Sequence, residues 1–495
     1  MSKIFKPRMT YQKLLQQIRN KAIPLDKSRF DQVYKFAKTA HQGKVRYSGE
    51  SSITHPLFVA NTLATWNQSQ TVLEAALLHD IVDTTPIMLN EIIKRFGTET
   101  AFLVDGVTRV GNVKLRGNTN VNFLENLREM FLAMANDIRV VLIRLADRHH
   151  NMLTLDAVPL SKQHRIAIET LEIYAPLAER LGMGQIKGEL EDLAFPYAYP
   201  EEHAWILEIA EKHFQTAKQV TTKAIKVLSD ELIRTGIKAT VHGRPKNKYS
   251  LYKKLLRPEI DRDIAKIHDL IALRVITGTK ADCYASLGIV HSLWRPVPHL
   301  GVSDFIAQPK PNGYRSIHTK VFDHSGQIIE IQIRTNEMQQ VAELGHILYS
   351  EAKNQGVKGE ILERGVTMDN KKINMFQLLL DWQKEASGSK EYITDLKLDI
   401  LSQHIYIFSP KGDIFDLPFA STPVDFAFAV HGDLGFHIQA AKVNQKIVSL
   451  NFPLKNGDVV EIIRSKNKRL PTRGWLQFIK SARARHQIRK ELGIK

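Results

Sequence analysis

The stretch AALLHDIVDTT, residues 75 to 85, sets His79 beside Asp80 among apolar neighbours, with Asp83 and Thr84 just after them. An unpaired carboxylate among aliphatic side chains is strongly disfavoured, so the doublet asks for a partner. Two other segments supply candidates. His55 stands immediately before Pro56, a residue suited to the first helical position, which would put the imidazole at a helix mouth. Asp147 lies in RLADRHHNM, with Asn151 one helical turn later on the same face. Two imidazoles and two carboxylates make a borderline-hard donor set suited to Mn, Fe, Co or Zn. Four protein donors leave a six-coordinate ion such as Mn open to water and substrate, as catalysis requires. Each residue alone reads first as a cap or an ion-paired side chain; the ordered set is what points to a metal.

A second group of residues points to phosphate chemistry without a P-loop, because no G-x-x-x-x-G-K-[ST] occurs. In GRPKNKYSLYKK, Arg244 and Lys246 point to one side of an extended chain, and Ser250 and Lys254 share a helical face. Such a cluster could hold a triphosphate or could be a basic surface. Asp269 opens the strand DLIALRVI, and alternation in IIEIQIRT puts Glu330, Gln332 and Arg334 on one face and Ile329, Ile331 and Ile333 on the other. Two acids from neighbouring strands would bind Mg²⁺ and prepare a hydroxyl for attack; the bland alternative is a half-exposed strand. Between them, QPKPNGYRSIHT carries an Asn312-Gly313 turn that could present Tyr314 to a purine, with Lys310 and His318 on phosphates. A hairpin with a part-buried tyrosine is the alternative.

These residues need elements to hold them. Helical periodicity dominates from about residue 8 to 195; from about 200 to 350 an amphipathic helix leads into β-branched runs. KEASGSKEY reads as a linker, and from about 404 short strands and tight turns surround one short helix. The expected architecture is therefore multidomain: an all-α domain over 1–197, an α/β domain over 198–385, a connecting segment over 386–402, a small β-rich domain over 403–466 and a basic helical tail over 467–495. A length of 495 residues suits several cores rather than one. The single cysteine, Cys283, excludes an internal disulfide framework and a thiolate metal cage. No apolar run reaches membrane-spanning length and no leader pattern opens the chain, so the expectation is a cytoplasmic protein without a membrane partner. The net charge of +17 favours a polyanionic partner: nucleic acid, a ribosome or highly phosphorylated nucleotides. Trp475 and Phe478 punctuate the basic C-terminal stretch, which reads as an RNA-contacting tail or as a solvated basic helix.

The order His, His-Asp, Asp on helices is similar to that of HD-type metal-dependent phosphohydrolases. Over nearly its whole length the chain resembles the long RelA/SpoT homologues, which make and destroy the alarmone (p)ppGpp. The likeness is carried by SGESSITHPLFVA, AALLHDIV, LADRHHNM, LEIYAPLAERLGM, GRPKNKYSLYKK, DCYASLGIVHSLWRP, PKPNGYRSIHT, EIQIRT, SPKGDIFDLP and NGDVVEI. It implies an HD hydrolase domain, a nucleotidyltransferase-like synthetase domain and a β-grasp-like TGS domain. By that resemblance His55, His79, Asp80 and Asp147 would bind Mn²⁺, and Arg46 and Asn151 would contact the nucleotide whose 3′-pyrophosphate is removed. Asp269 and Glu330 match the synthetase's acidic pair, with Mg²⁺. Arg244, Lys246, Ser250, Lys254, Lys310 and His318 match nucleotide contacts, and Tyr314 matches the residue that stacks on guanine; Gln332 and Arg334, on the face of Glu330, are expected to contact nucleotide as well. His431, in FAVHGDLG, lies in the module that the resemblance ties to tRNA on the ribosome.

The chain also departs from the family. Active hydrolases usually carry Glu-Asp where this sequence has Asp83 and Thr84; losing one acid should slow turnover while sparing the metal. Gly301, Val302, Ser303 and Asp304 stand where bifunctional members carry Arg-x-Lys-Asp, so a phosphate contact is missing. AELGHILYSEAK lacks the usual Ala-His-Trp, and the sequence stops at Lys495, just past the TGS region, where long members continue. Three readings follow: a bifunctional enzyme with both activities altered, an enzyme keeping one activity, or a non-catalytic RNA-binding regulator.

Overall fold

The computed structural model describes residues 9–112, 137–243, 247–258, 260–267, 270–298, 301–310, 313–344, 404–455, 457–465, 467–468 and 471–494. They fall into two compact units, Met1–Thr100 with Leu142–Glu363, and Ala101–Val141 with Arg364–Lys495.

Helices occupy most of the described residues up to 198: α1 Tyr11–Asn20, α2 Lys27–Ala40, α3 Thr54–Thr65, α4 Gln70–Leu78, α5 Ile81–Thr84, α6 Leu89–Phe96, α7 Thr98–Asn112, α8 Ile138–Leu153, α9 Leu160–Glu169, α10 Ala175–Arg180 and α11 Gly184–Ala198. Local chemistry sets their starts. The Thr10 hydroxyl accepts the Lys13 N–H ahead of α1, and the Asp26 carboxylate accepts the Arg29 N–H ahead of α2. In α3 and α4 the apolar run wraps the whole helix, and Leu57, Val59, Leu63, Leu73, Leu77 and Leu78 are all buried. α1 packs on α3, α3 on α4 and α2 on α4.

The 35-residue α12, Pro200–Arg234, leads into the α/β domain. There β1 Ala239–Gly243, β2 Ile271–Thr277, β3 Arg295–Pro296, β4 Val302–Asp304, β5 Ile317–Phe322 and β6 Ile328–Thr335 form one sheet of order β1-β2-β6-β5-β3, with β4 paired to β5. β2 and β6 run parallel and the other pairs antiparallel. Leu228 and Leu232 of α12 join Leu273, Val275, Ile317, Val321, Ile329, Ile331 and Ile333 in one core. The remaining helices of this domain are α13 Lys248–Leu255, α14 Lys280–Leu293 and α15 Asn336–Leu344.

The helical and α/β domains meet through α11. Asp192 accepts the Tyr249 N–H at 3.1 Å and the Asn247 Nδ2–H at 3.2 Å, so a carboxylate from one domain caps the first turn of α13 in the other. The Asn247 side-chain amide lies so close to the Gly188 backbone that a Cβ there would sit 2.7 Å from Nδ2. Phe195 and Ile206 complete the seam with Leu251 and Leu255.

In the second unit, β7 His404–Phe408 pairs with β8 Ile414–Pro418, and β9 Ile438–Val443 lies between β10 Lys446–Val448 and β11 Val460–Arg464. Helices α16 Pro423–Val430, α17 Gly432–Phe436, α18 Trp475–Phe478 and α19 Ala482–Glu491 complete it. The segment expected as a basic tail is built into this domain: Trp475, Ile479, Ala484 and Ile488 share a core with Val424, Phe428 and Ile438. Asp425 is fully buried and accepts N–H groups from Thr422, Lys480 and Ser481, tying α16 to the C-terminal segment. Trp475 therefore serves packing, while Arg483 and Lys490 of α19 face solvent. The connecting segment 386–402 lies outside the described residues.

Candidate functional sites

His55 sits in the first turn of α3, at the helix mouth, although the helix begins at Thr54, two residues before Pro56. The His-Asp doublet is placed differently from a helix interior. α4 ends at Leu78, and Asp80, with φ −108° and ψ 2°, breaks the helical path before α5. That break turns the carboxylate out of the aliphatic packing that surrounds Leu77, Leu78 and Ile81. Ligand atoms of His55, His79 and Asp80 lie within 4.8 Å of one another. Asp147 joins them from α8: its Oδ1 is 3.2 Å from His55 Nε2 and 4.0 Å from His79 Nε2. The His79 Nδ1–H donates to the Ala76 carbonyl at 2.8 Å, which leaves Nε2 as the lone pair facing the cluster. Two imidazoles and two carboxylates, nearly all buried, form a donor set that fits a divalent cation.

The electrostatics agree with that fit. Burial is the largest influence on Asp147 and pushes its carboxyl up, but the Arg144 guanidinium and the imidazoles of His55 and His79 outweigh it and hold it well below the usual range. Asp80 is likewise raised by burial and lowered more by His79, His41 and His55. His55 is pushed down, chiefly by burial, which keeps the ring a neutral donor. Around the mouth, Asn151 Nδ2 donates to Asp147 Oδ1 at 2.6 Å, and Arg46 Nη2 reaches Asn151 Oδ1 at 3.1 Å. The Thr84 hydroxyl donates to the Asp80 carbonyl at 2.7 Å, closing α5, while Lys44 Nζ donates to the Thr84 carbonyl.

Several partners of this cluster carried no assignment from the sequence. His150 Nδ1 lies 2.8 Å from His55 Nδ1, Arg144 Nη1 bonds Asp147 Oδ2 at 2.6 Å, and His41 Nε2 lies 3.1 Å from Asp80 Oδ1. Tyr174 closes a π-helical turn, Thr170–Tyr174, with its hydroxyl 3.4 Å from Arg144 Nη2 and the Arg148 guanidinium 4.1 Å from its ring centre. The helical spacing of Arg144, Asp147 and His150 was the available signal: three residues apart, they share a face.

In the α/β domain, β6 alternates as expected, but its polar face is buried too: Gln332 is 3% and Arg334 2% exposed. The Tyr314 ring lies over the Arg334 guanidinium on this face. The Gln332 amide donates to Glu330 Oε1 at 3.0 Å, and His318 Nδ1 lies 3.3 Å from the same oxygen. His318 Nε2 in turn meets the Tyr314 hydroxyl at 2.9 Å. Lys310 Nζ lies 5.3 Å from the Tyr314 ring centre and Arg334 Cζ 5.6 Å from it. The Gly313 N–H donates to the Lys310 carbonyl and Gly313 has φ 79°, while Asn312 of the expected turn lies outside the described residues. Burial, the largest influence, lowers both Lys310 and His318, against the pull of Glu330.

Six sequence-predicted residues thus converge here: Lys310, Tyr314, His318, Glu330, Gln332 and Arg334. Ser250 and Lys254 lie on α13, where the Ser250 hydroxyl reaches Glu191 of α11 at 3.5 Å. Arg244, Lys246 and Asp269 lie outside the described residues. Ser303 stands opposite His318 in the β4–β5 register. In the second unit, His431 caps α17 by accepting the Asp433 N–H at Nδ1, and its side chain is exposed. Among the described residues, no helix is long and apolar enough to cross a membrane.

Comparison with known proteins gives the class first. Residues 34–184 match an HD domain, 243–354 the region found in RelA / SpoT proteins and 405–464 a TGS domain. The chain is 41% identical over 479 residues to the bifunctional (p)ppGpp synthase/hydrolase SpoT of Escherichia coli K12, covering 97% of this chain and 67% of that protein. It is 41% identical over 461 residues to a GTP pyrophosphokinase of Myxococcus xanthus, and 42% identical over 469 residues to one of Streptomyces coelicolor. It spans 59% and 55% of the lengths of those two relatives. The chain belongs to the RelA/SpoT family.

Proposed function

We propose that the protein both makes and breaks down (p)ppGpp. In the α/β domain a pyrophosphate group passes from ATP to the 3′-hydroxyl of GDP or GTP; in the helical domain the 3′-pyrophosphate is removed by water. The observation that carries the reading is that one chain builds both constellations, the His55/His79/Asp80/Asp147 cluster and the Lys310/Tyr314/His318/Glu330 cluster.

For hydrolysis, His55, His79, Asp80 and Asp147 would hold Mn²⁺. Bound there, the cation supplies Lewis-acid neutralisation of charge at the scissile phosphate. Arg46 and Asn151, already bonded to each other, orient the nucleotide at the mouth. Asp83 supplies the remaining carboxylate after the doublet, and the Thr84 hydroxyl is committed to the Asp80 carbonyl. That commitment favours a secondary reading in which hydrolysis is slow and synthesis dominates.

For synthesis, Glu330 is the base. It accepts the proton of the 3′-hydroxyl as that oxygen bonds to the β-phosphorus of ATP, the bond to the bridging oxygen breaks and AMP leaves. Gln332 and His318 fix the carboxylate, Tyr314 stacks on guanine, and Lys310 and Arg334 offset phosphate charge. Asp269 and Glu330 would hold Mg²⁺, which would offset charge on the phosphates. Arg244, Lys246, Ser250 and Lys254 would hold the triphosphate. In the second unit, His431 and the exposed Arg483 and Lys490 of α19 would contact tRNA or the ribosome, in the cytoplasm.

The test is two reactions on the purified chain: ATP with GDP, and 3′-labelled ppGpp with and without Mn²⁺. Product in both is expected, with Glu330→Gln abolishing the first alone and Asp80→Ala the second alone. Product in neither would overturn the proposal.

A further inference from the structure

His41 lies beside Asp80 but has no assigned role so far, and it is one of the most deeply buried polar side chains of the helical domain, at 1% exposure. Neither ring nitrogen has a hydrogen bond of good geometry, and the same holds for Asp80 Oδ1, which lies 3.1 Å from His41 Nε2. Buried polar atoms without partners are costly, so two such atoms at this separation point to each other. The facing oxygen is a carboxylate acceptor, so the proton must sit on Nε2.

The backbone makes His41 a fixed post. It terminates α2, its N–H bonded to the Ala37 carbonyl, and its own carbonyl accepts the Lys44 N–H at 3.1 Å. Lys44 then receives the Ser52 N–H, and the Arg46 N–H bonds the Glu50 carbonyl, so the loop at the mouth is rooted on this residue. The Asp80 backbone is held where α4 and α5 part, its carbonyl accepting the Thr84 N–H and hydroxyl, so what is left to fix is the rotation of its carboxylate.

We propose that His41 is a positioning residue: its Nε2–H holds one oxygen of Asp80 and so fixes the rotation of that carboxylate for a divalent cation. The inference rests on the metal-site reading of His55, His79, Asp80 and Asp147. Partners of this kind typically contribute ten- to a hundredfold to metal affinity.

The experiment is Mn²⁺ titration of the full chain by calorimetry, with thermal midpoints of the metal-free proteins as the check on folding. In His41→Gln the amide nitrogen takes the place of Nε2; in His41→Asn it takes that of Nδ1, where no partner waits. Gln is expected to bind within about threefold of the unsubstituted chain, and Asn and Leu about ten- to a hundredfold more weakly. Equal affinity across Gln, Asn and Leu would overturn the inference while leaving the metal site standing, and so would Gln binding as weakly as Leu. No Mn²⁺ binding by the unsubstituted chain would overturn the site reading and this inference together.

Discussion

Ser303→Lys is the substitution whose outcome the sheet register determines most directly. β4 pairs with β5 so that Ser303 opposes His318, and β5 pairs with β6 so that His318 opposes Gln332 and Lys320 opposes Glu330. Directly opposed residues project to one face with Cβ atoms about 5 Å apart. A side chain at 303 therefore rises beside His318, on the face that carries Gln332 and Glu330. A lysine there adds a charge-assisted contact to substrate phosphate, which contributes about 1.5–3 kcal/mol when well shielded. Ser303 is exposed, so water and salt weaken the contact toward the low end. About 1.4 kcal/mol corresponds to a tenfold gain in kcat/KM for pyrophosphate transfer. Ser303→Gln, of similar length without the charge, separates reach from electrostatics. The assay is the initial rate at subsaturating ATP and GDP across a salt series; the lysine's advantage should shrink as salt rises. A gain shared by the glutamine variant, or no gain at low salt, would refute the assignment of this face to phosphate.

Thr84→Asp places an acid beside Asp83 in exchange for a hydroxyl bonded to the Asp80 carbonyl. Release of pyrophosphate from ppGpp should rise by roughly tenfold or more, and an unchanged rate would show that Thr84 does not limit hydrolysis. Arg144→Met leaves the buried Asp147 carboxylate without its 2.6 Å partner, and breaking a buried pair typically costs about 3–5 kcal/mol. The metal-free protein should unfold at clearly lower denaturant, and added Mn²⁺ should narrow the gap by supplying replacement charge. His318 carries a pKa lowered chiefly by burial, so its folded value lies below the unfolded value near about 6.5. Its contribution to stability is complete above that pH and is lost as pH falls toward the folded value, because the unfolded chain binds the proton first. Urea midpoints measured from pH 8 to 5.5 should accordingly fall less in His318→Gln than in the unsubstituted chain.

What the sequence makes legible follows from period and from the cost of burying polar groups. Alternation in IIEIQIRT fixes which face of β6 enters the core, because a side-chain period of two admits only one register on a buried sheet. It cannot tell that Gln332 and Arg334 are covered as well, since what covers them, such as the Tyr314 ring over Arg334, comes from outside the strand. The His-Asp doublet is legible as an anomaly among aliphatic residues, but the helix break at Asp80 is not, because nothing local marks it: no glycine or proline stands there. His41 and Arg144 escape notice for a related reason. Their partners, Asp80 and Asp147, already had an apparent purpose as ligands, and a sequence does not show how many partners one carboxylate keeps.

The basic C-terminal stretch shows the same principle from the other side. Its composition reads as a charged tail, yet apolar residues at Trp475, Ile479, Ala484 and Ile488 close the core of the β-rich domain. What decides is the buried carboxylate of Asp425, fifty-five residues before the Lys480 N–H it accepts. A carboxylate removed from water needs donors, and α16 alone offers it only the Thr422 N–H and hydroxyl. The Lys480 and Ser481 N–H groups supply the rest, so the domain is electrostatically incomplete without the segment that carries its positive charge. Arg483 and Lys490 are for that reason presented from a packed helix, which has less conformational entropy left to lose than a free tail would have.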